Sequence, residues 1–519
     1  MKNIFKSFKN FPKRVLIVLV LVMGSMLSSC NNDIIELEPF TSVSETSAFS
    51  TPSLIELSVN GMYNAAAIGL YNGSGRGYPF GAAHVQQGDN RGEDVVNTAT
   101  FYQLTYTATY STTTANNVYM WLDTYRLINR SNIIIDGVTK AVANGTITAA
   151  VGDDYIGQAL YFRAIAHMEL LIHFAKPYKF TTGATHEGVP YRALPYTTQD
   201  NVDIGTLQGR NSVKDCYDLI VKDLNDAEAK LLPKSSITRA SKEAAIAMKT
   251  RAFLNMGDWD KVITEGLKLT GFSLTPSPNG PFDNSYSNTE SIFSMAMSAT
   301  NNPGVNAALA SQYKRRKLVC MSPIIWRDSE WLVDDKRRTD GELIFKSGSV
   351  IYTNKYKDDV NYTDASPIIR YAEVLLNMSE AYARKSTPDL TNALAKLNLV
   401  RNRSLASPST QAYTSGVLST PTLMVNAILK ERRIEFVMEG LRWGDIHRLQ
   451  HETIGGVSGI PAKLANGTPS AASFTLGTPY SGALGTTAVP YSDYRFLWPI
   501  PQVEVDANPT LAAVQNPGY

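Results

Sequence analysis

Cysteine is close to absent from this sequence: Cys30, Cys216 and Cys320 are the three in 519 residues. So few exclude a disulfide scaffold and a cysteine-rich zinc module, and Cys216 and Cys320 are expected to be free and buried. Histidine is scarce too, with six residues. His447 and His451 stand four apart, but Arg448 follows the first where a metalloprotease helix carries Glu, so they read as a surface or capping pair. An excess of one charge is also missing. Net charge is +2, and setting aside Lys2, Lys6, Lys9, Lys13 and Arg14 leaves −3 for the remainder. No basic patch is left to hold a nucleic acid backbone. The chain has neither a Gly-x-x-x-x-Gly-Lys phosphate loop nor a Gly-x-Ser-x-Gly nucleophile elbow. Beyond Val15–Leu27 no apolar run reaches the length of a membrane span.

What is there begins with an export signal. A basic segment ends at Arg14, and the apolar run Val15–Leu27 follows. It closes on Leu27-Ser28-Ser29-Cys30, which resembles the lipobox of bacterial lipoproteins, where the cysteine is acylated and becomes the mature N-terminus. Residues 1–29 are then a signal peptide, and 30–50 a tether lipidated at Cys30. Each buried CH₂ of an acyl chain contributes about 0.8 kcal/mol, so several chains anchor stably. Asn31 follows, where an inner-membrane retention signal would place Asp. The rest, 44% apolar and 18% charged, has the composition of a globular fold.

The most informative stretch is Glu431–Leu449, ERRIEFVMEGLRWGDIHRL. Glu431, Glu435 and Glu439 lie four apart, the spacing of one helix ridge. Like charges at that spacing repel, so the ridge needs cations, and Arg432, Arg433, Arg442 and Arg448 are at hand. Gly440 interrupts the pattern, and Trp443 needs packing. Three aligned carboxylates could serve glycoside hydrolysis. Neighbouring arginines instead hold carboxylates ionised, which favours an ion-paired structural face. The pattern E-R-R-x-E-x-x-x-E-G-x-R-W-x-D-x-x-R resembles the signature of the SusD/RagB family of cell-surface nutrient-binding lipoproteins. That resemblance implies a lid on a SusC-like TonB-dependent transporter, outer-membrane localisation through the lipid anchor, and a glycan or peptide ligand.

Helical spacing supports it. Pro52–Ala67, a run from Val118, Asp153–Phe174 and Ser212–Leu232 all read as helices, Asp153–Phe174 with one apolar stripe. Ser241–Leu269 and Ile368–Arg403 each read as a helical hairpin of tetratricopeptide type, without a clean 34-residue period. The expected fold is mainly α: degenerate tetratricopeptide-like helical pairs with large loop and short-strand insertions, divided into an N-terminal helical region (51–270) and a C-terminal region (271–519). The insertions are 69–117, 181–209, 271–367 and 452–494, and the third holds strand-like SIFSMAMS and ELIFKSGSVIY. The tail, ending Gln-Asn-Pro-Gly-Tyr, resembles the family's C-terminus.

No catalytic residue and no cofactor is assigned. A sugar binder needs aromatic platforms beside polar side chains. Candidate platforms are Tyr71, Tyr78 and Phe80 in the first insertion, and Tyr286, Tyr313, Trp326 and Trp331 in the third. Candidate polar partners are Gln87, Asp89, Asn90, Arg91 and Arg327. Trp326 and Trp331, with Tyr78, are expected to form an aromatic arc; core packing is the alternative for each ring. The oxygens of Asp89, Asn90, Glu93 and Asp94 could hold calcium, but the spacing is not that of an EF-hand, and a solvated or hydrogen-bonded loop is the favoured reading. Trp121, Trp259, Trp443 and Trp498 belong to the core. Rival readings are a peptide-binding member of the same family, a glycoside hydrolase, and a helical scaffold for proteins.

Overall fold

A computed structural model describes residues 45–69 and 75–519. The signal peptide, Cys30, most of the tether and Tyr71 lie outside the described residues.

Helices dominate, and local chemistry sets their ends. They are α1 (Pro52–Ala67), α2 (Ala82–Asn90), α3 (Ala115–Ala143), α4 (Ala149–Phe174), α5 (Val213–Lys230), α6 (Lys242–Met256), α7 (Trp259–Gly266), α8 (Tyr371–Arg384), α9 (Leu390–Ser404), α10 (Pro421–Glu435) and α11 (Arg442–Arg448), with shorter turns between. Thr148, Ser212, Ser241, Asp389 and Thr420 cap α4, α5, α6, α9 and α10 by accepting a backbone N–H in the first turn. Each cap contributes about 1 kcal/mol. Gly257 ends α6 at φ +74°, a conformation glycine adopts without steric cost.

The helices stack in chain order. α3 packs on α4, α4 on α5, α5 on α6, α6 on α7 and α8, and α8 on α9 and α10. The two hairpins read from the sequence are α6–α7 and α8–α9. α4 differs from its expected single stripe: almost every residue from Gly157 to Leu171 is buried. It runs between α3 and α5, and a helix apolar on all sides is a central one. The main core continues from Ile55 to Leu511, so side chains from both sides of residue 270 share it.

The strands are short and antiparallel. β1 (Val95–Asn97) pairs with β3 (Val319–Met321), Val96 opposite Cys320. β2 (Ser291–Met295) pairs with β6 (Ser366–Arg370), and β4 (Ile344–Ser347) with β5 (Val350–Thr353). The β1–β3 pair joins the first insertion to the third. A second core forms beneath them from Val85, Tyr313, Trp326, Trp331, Ile434 and Met438. Cys216 and Cys320 are free and buried. Among the described residues no helix is long and apolar enough to cross a membrane.

Candidate functional site

The glutamate signature folds differently from a single ridge. α10 stops at Glu435, and the chain turns through Met438 (φ +63°) and Gly440 (φ +81°) before α11 starts. Glu431 and Glu435 share the helix; Glu439 returns to them by the turn. All three are buried. Their partners are not the neighbouring arginines. Arg337 holds Glu431 at 2.6 Å and Glu435 at 2.9 Å, and Arg370 holds Glu435 at 2.7 Å and Glu439 at 2.9 Å. Arg401 pairs with Glu431, Arg403 with Glu290 and Glu435, and Lys355 with Glu439. Arg337 also takes Asp335, and Arg370 also takes Glu290. Five cations thus face Glu290, Asp335, Glu431, Glu435 and Glu439 in one neutral, water-poor lattice.

The local arginines serve other acids. Arg432 pairs with Asp445, Arg448 with Asp445 and Glu380, and Arg433 and Arg442 with Glu93 and Asp94. This engages the Glu93 and Asp94 oxygens weighed for calcium, and among the described residues no acid or histidine cluster has the arrangement of a metal site. Burial alone would raise the Glu435 carboxyl, but Arg403, Arg370 and Arg337 outweigh it and hold it well below the usual range. A general acid needs the opposite shift and a path to substrate. His447, read as one of a surface or capping pair, is buried: its Nε2 bonds the carbonyl of Ala175, the residue that closes α4, at 2.8 Å, and burial lowers it to about 3. His451 is exposed, beside Tyr491.

The first insertion supplies the clamp on this turn. Its stretch of glycines and polar residues contains α2, every residue of which is buried. The polar side chains of Gln87, Asp89, Asn90 and Arg91, nominated as ligand partners, are buried and bonded within the protein. Gln87 donates to the Tyr78 hydroxyl at 2.9 Å and accepts from Thr105. Asp89 accepts from the Gly440 N–H at 2.9 Å and from the Tyr313 hydroxyl. Asn90 donates to the Gln86 carbonyl at 2.8 Å. The Arg91 guanidinium lies 3.4 Å from the Trp443 ring centre and 5.0 Å from that of Trp498, and donates to His173 and the Phe496 carbonyl. Such stacking of Arg on Trp is worth about 2 kcal/mol when desolvated.

Asp89 has a pH consequence. Burial pushes its carboxyl up to about 7, against the lowering pull of Tyr313 and Gly440. A raised carboxyl contributes full stability below the unfolded value near pH 4 and loses it as pH climbs to about 7. Asp89→Asn should therefore have a melting temperature that falls less than that of wild type between pH 4 and 7, with a constant difference above. A pH-independent difference over the whole range would mean that Asp89 is ionised in the fold.

The aromatic arc is not on the surface. Trp326 and Trp331 are buried, 5.6 Å apart edge to face, with Arg338 stacked 4.4 and 4.3 Å from them. The Trp326 indole N–H donates to the Phe474 carbonyl at 3.1 Å. Both rings anchor the third and fourth insertions onto α10, the packing alternative. Tyr78, Phe80 and Tyr313 are buried as well. Arg327 bonds Thr478 across the same seam. Tyr286 is half-buried, its hydroxyl on the Met297 and Thr363 carbonyls.

Near Tyr286 the two nominated insertions still present a face, through residues the sequence reading passed over. Phe101 is half-buried, with Arg316 stacked 5.9 Å from its centre. Arg316 also reaches Asn306 at 3.4 Å. Arg315 donates to the hydroxyl of half-buried Tyr362 at 2.7 Å, and Asn302 bonds the Asn361 carbonyl. These loops flank the β1–β3 pair. Aromatic edges, guanidinium forks and amides side by side suit a ligand with flat apolar faces ringed by hydroxyls. The signal in the sequence was faint: single aromatics in Asn- and Arg-rich turns.

The fold defines a class: a mainly α scaffold of packed helical pairs that carries large insertions. Two family models match the chain, one described as the SusD family over residues 325–519 and one described as starch-binding and associating with the outer membrane over residues 40–254. A SusD superfamily protein from Bacteroides fragilis superposes with a TM-score of 0.74 at 28% identity, over 89% of this chain and 99% of that one. A structure from Bacteroides vulgatus described as a putative sugar binding protein gives a TM-score of 0.70 at 22% identity, over 91% and 99%. SusD-like protein P38 from Formosa agariphila is 22% identical over 88% of this chain and 95% of its own. The chain belongs to the SusD family, and its mainly α fold is that of the superfamily.

Proposed function

We propose that this protein is an outer-membrane lipoprotein, anchored through Cys30, that captures an oligosaccharide at the cell surface and delivers it to a SusC-like TonB-dependent transporter. The observation that supports binding most directly is the face formed by Phe101, Asn306, Arg315, Arg316 and Tyr362, where half-exposed rings adjoin polar side chains from two insertions. The buried glutamate lattice argues against hydrolysis by the signature residues, since its carboxylates are committed to arginines. Tyr286 remains a candidate at the edge of this face.

The test is calorimetry with a panel of glycans and peptides. Phe101→Ala and Arg316→Ala should each weaken the best ligand more than tenfold, the usual effect of truncating a stacking or bidentate contact, with melting temperature unchanged. A peptide as the best ligand would move the protein to the peptide-binding class. Binding equal to wild type in both variants would place the site elsewhere. Mild-detergent isolation from outer membranes should bring a TonB-dependent transporter along; isolation of the protein alone counts against the delivery role.

A further inference from the structure

A groove beside the first helices is not used by this reading. It encloses about 820 Å³ between α1, α3, the helix Gln199–Leu207 and the helix Gln502–Ala507. Leu54, Leu57, Ile133 and Val202 line it, and Arg126 and Arg130 stand along it on α3. Leu57 is 63% exposed and Val202 39%, apolar surface that normally marks a contact. Arg130 has no acidic partner among the described residues, and burial together with Arg126 lowers its pKa. The aromatic rings that line it lie near one guanidinium: Arg192 stands 4.5 Å from the buried Tyr125 ring and 5.8 Å from the half-buried Tyr196 ring.

The chain itself enters at this groove. Ala48 and Phe49 line its end, and the Phe49 ring lies so close over Gly137 of α3 that a Cβ there would sit 2.5 Å from it. The preceding residues 31–44 carry Asp33, Glu36 and Glu38 and no Lys or Arg, interleaved with Ile34, Ile35, Leu37, Phe40 and Val43. This acidic and apolar pattern complements an apolar groove along which Arg130 stands without an acidic partner among the described residues, beside Arg126, which pairs with Asp123 at 3.6 Å, and the Arg192–Glu504 pair. Reach is sufficient. From Ile133 to Leu122 α3 rises about 17 Å at ~1.5 Å per residue, which about five or six extended residues cover at ~3.3 Å each. We propose that residues 31–44 dock in this groove, so that the tether holds the protein body at a set position on the membrane instead of serving as a free leash. This goes beyond the transport reading and needs only that residues 31–44 stay on the mature chain.

The test uses the full chain in its membrane, with a benzophenone amino acid replacing Leu37 and peptide mapping of the photoproduct. The expected product is an intramolecular cross-link to the α3 peptide that contains residues 122–134. Arg126→Glu with Arg130→Glu should cut its yield more than tenfold, and adding Glu36→Lys with Glu38→Lys should restore it. The tether pair Glu36→Lys with Glu38→Lys alone, which cannot disturb the folded body, should also cut the yield. Cross-links to lipid or another chain, an unchanged yield in the tether pair, or a mature chain whose mass lacks residues 31–44 would each overturn the proposal. Glycan calorimetry on the same variants should match wild type, so a failed docking test leaves the binding reading standing.

Discussion

Glu435→Gln should lower the free energy of unfolding by about 3–5 kcal/mol, the usual cost of removing one member of a buried ion pair. Glu435 is the most connected acid of the lattice, shared by Arg337, Arg370 and Arg403. Glutamine keeps the volume and removes the charge, which leaves five buried cations against four carboxylates in a region water does not reach. The cost is therefore the uncompensated charge and not a cavity. Asp218→Asn is the control. Its partner Lys214 is on α5, both side chains are about half exposed (52% and 51%), and the loss should stay within about 0.5 kcal/mol. Urea titration of the three proteins separates the two cases. A Glu435→Gln midpoint equal to that of the control would mean the lattice is solvated, and its carboxylates would again be open to chemical roles. Sugar release by wild type that the variant loses would point the same way.

This lattice also marks where the sequence stops being legible. Local rules found the scaffold. Apolar spacing located α1, α5, α6–α7 and α8–α9 nearly to the residue, because that signal acts within one or two helical turns. The short strands Ser291–Met295 and Ile344–Thr353 were readable for the same reason. Failures came where partners are distant in the chain. Glu435 has arginines three residues before and seven after it, yet its cations are Arg337, Arg370 and Arg403. α2 looked like an irregular functional loop because its Gln, Asn and Asp are rarely buried; Gln86, Gln87 and Asp89 are buried here with Tyr102, Tyr78, Tyr313 and Gly440 as partners. Trp326 and Trp331 sit in a charged stretch that implied exposure, but Arg338 stacks on both rings and Phe474 closes over one. At the candidate face the insertions were readable and the individual residues were not, since Phe101 becomes a neighbour of Arg316 across two insertions, and Arg315 and Tyr362 meet 47 residues apart in the chain.

Gly88→Ala is expected to be the more damaging single change on the other side of that clamp. In an isolated helix the substitution stabilises by about 1 kcal/mol. Gly88 lies in the middle of α2, and a Cβ there would sit 1.8 Å from the Gly440 carbonyl oxygen and 2.6 Å from its carbon. Neither atom is the end of a flexible side chain, so α2 and the Met438–Gly440 turn must separate. Separation breaks the Asp89 bond to the Gly440 N–H and loosens Arg91 between Trp443 and Trp498. The summed loss should exceed about 3 kcal/mol, the upper end for overpacking in a core. Gly444→Ala supplies the opposite sign on the neighbouring helix: no atom lies within 4 Å of its Cβ, so α11 should gain up to about 1 kcal/mol. Melting temperatures that move in opposite directions would establish that the close approach of Gly88 to Gly440, and not helix propensity, sets how the first insertion seats on the signature turn. If Gly88→Ala melts at or above wild type, α2 has room the packing does not show. The insertion that carries Phe101 would then be free to shift relative to the scaffold.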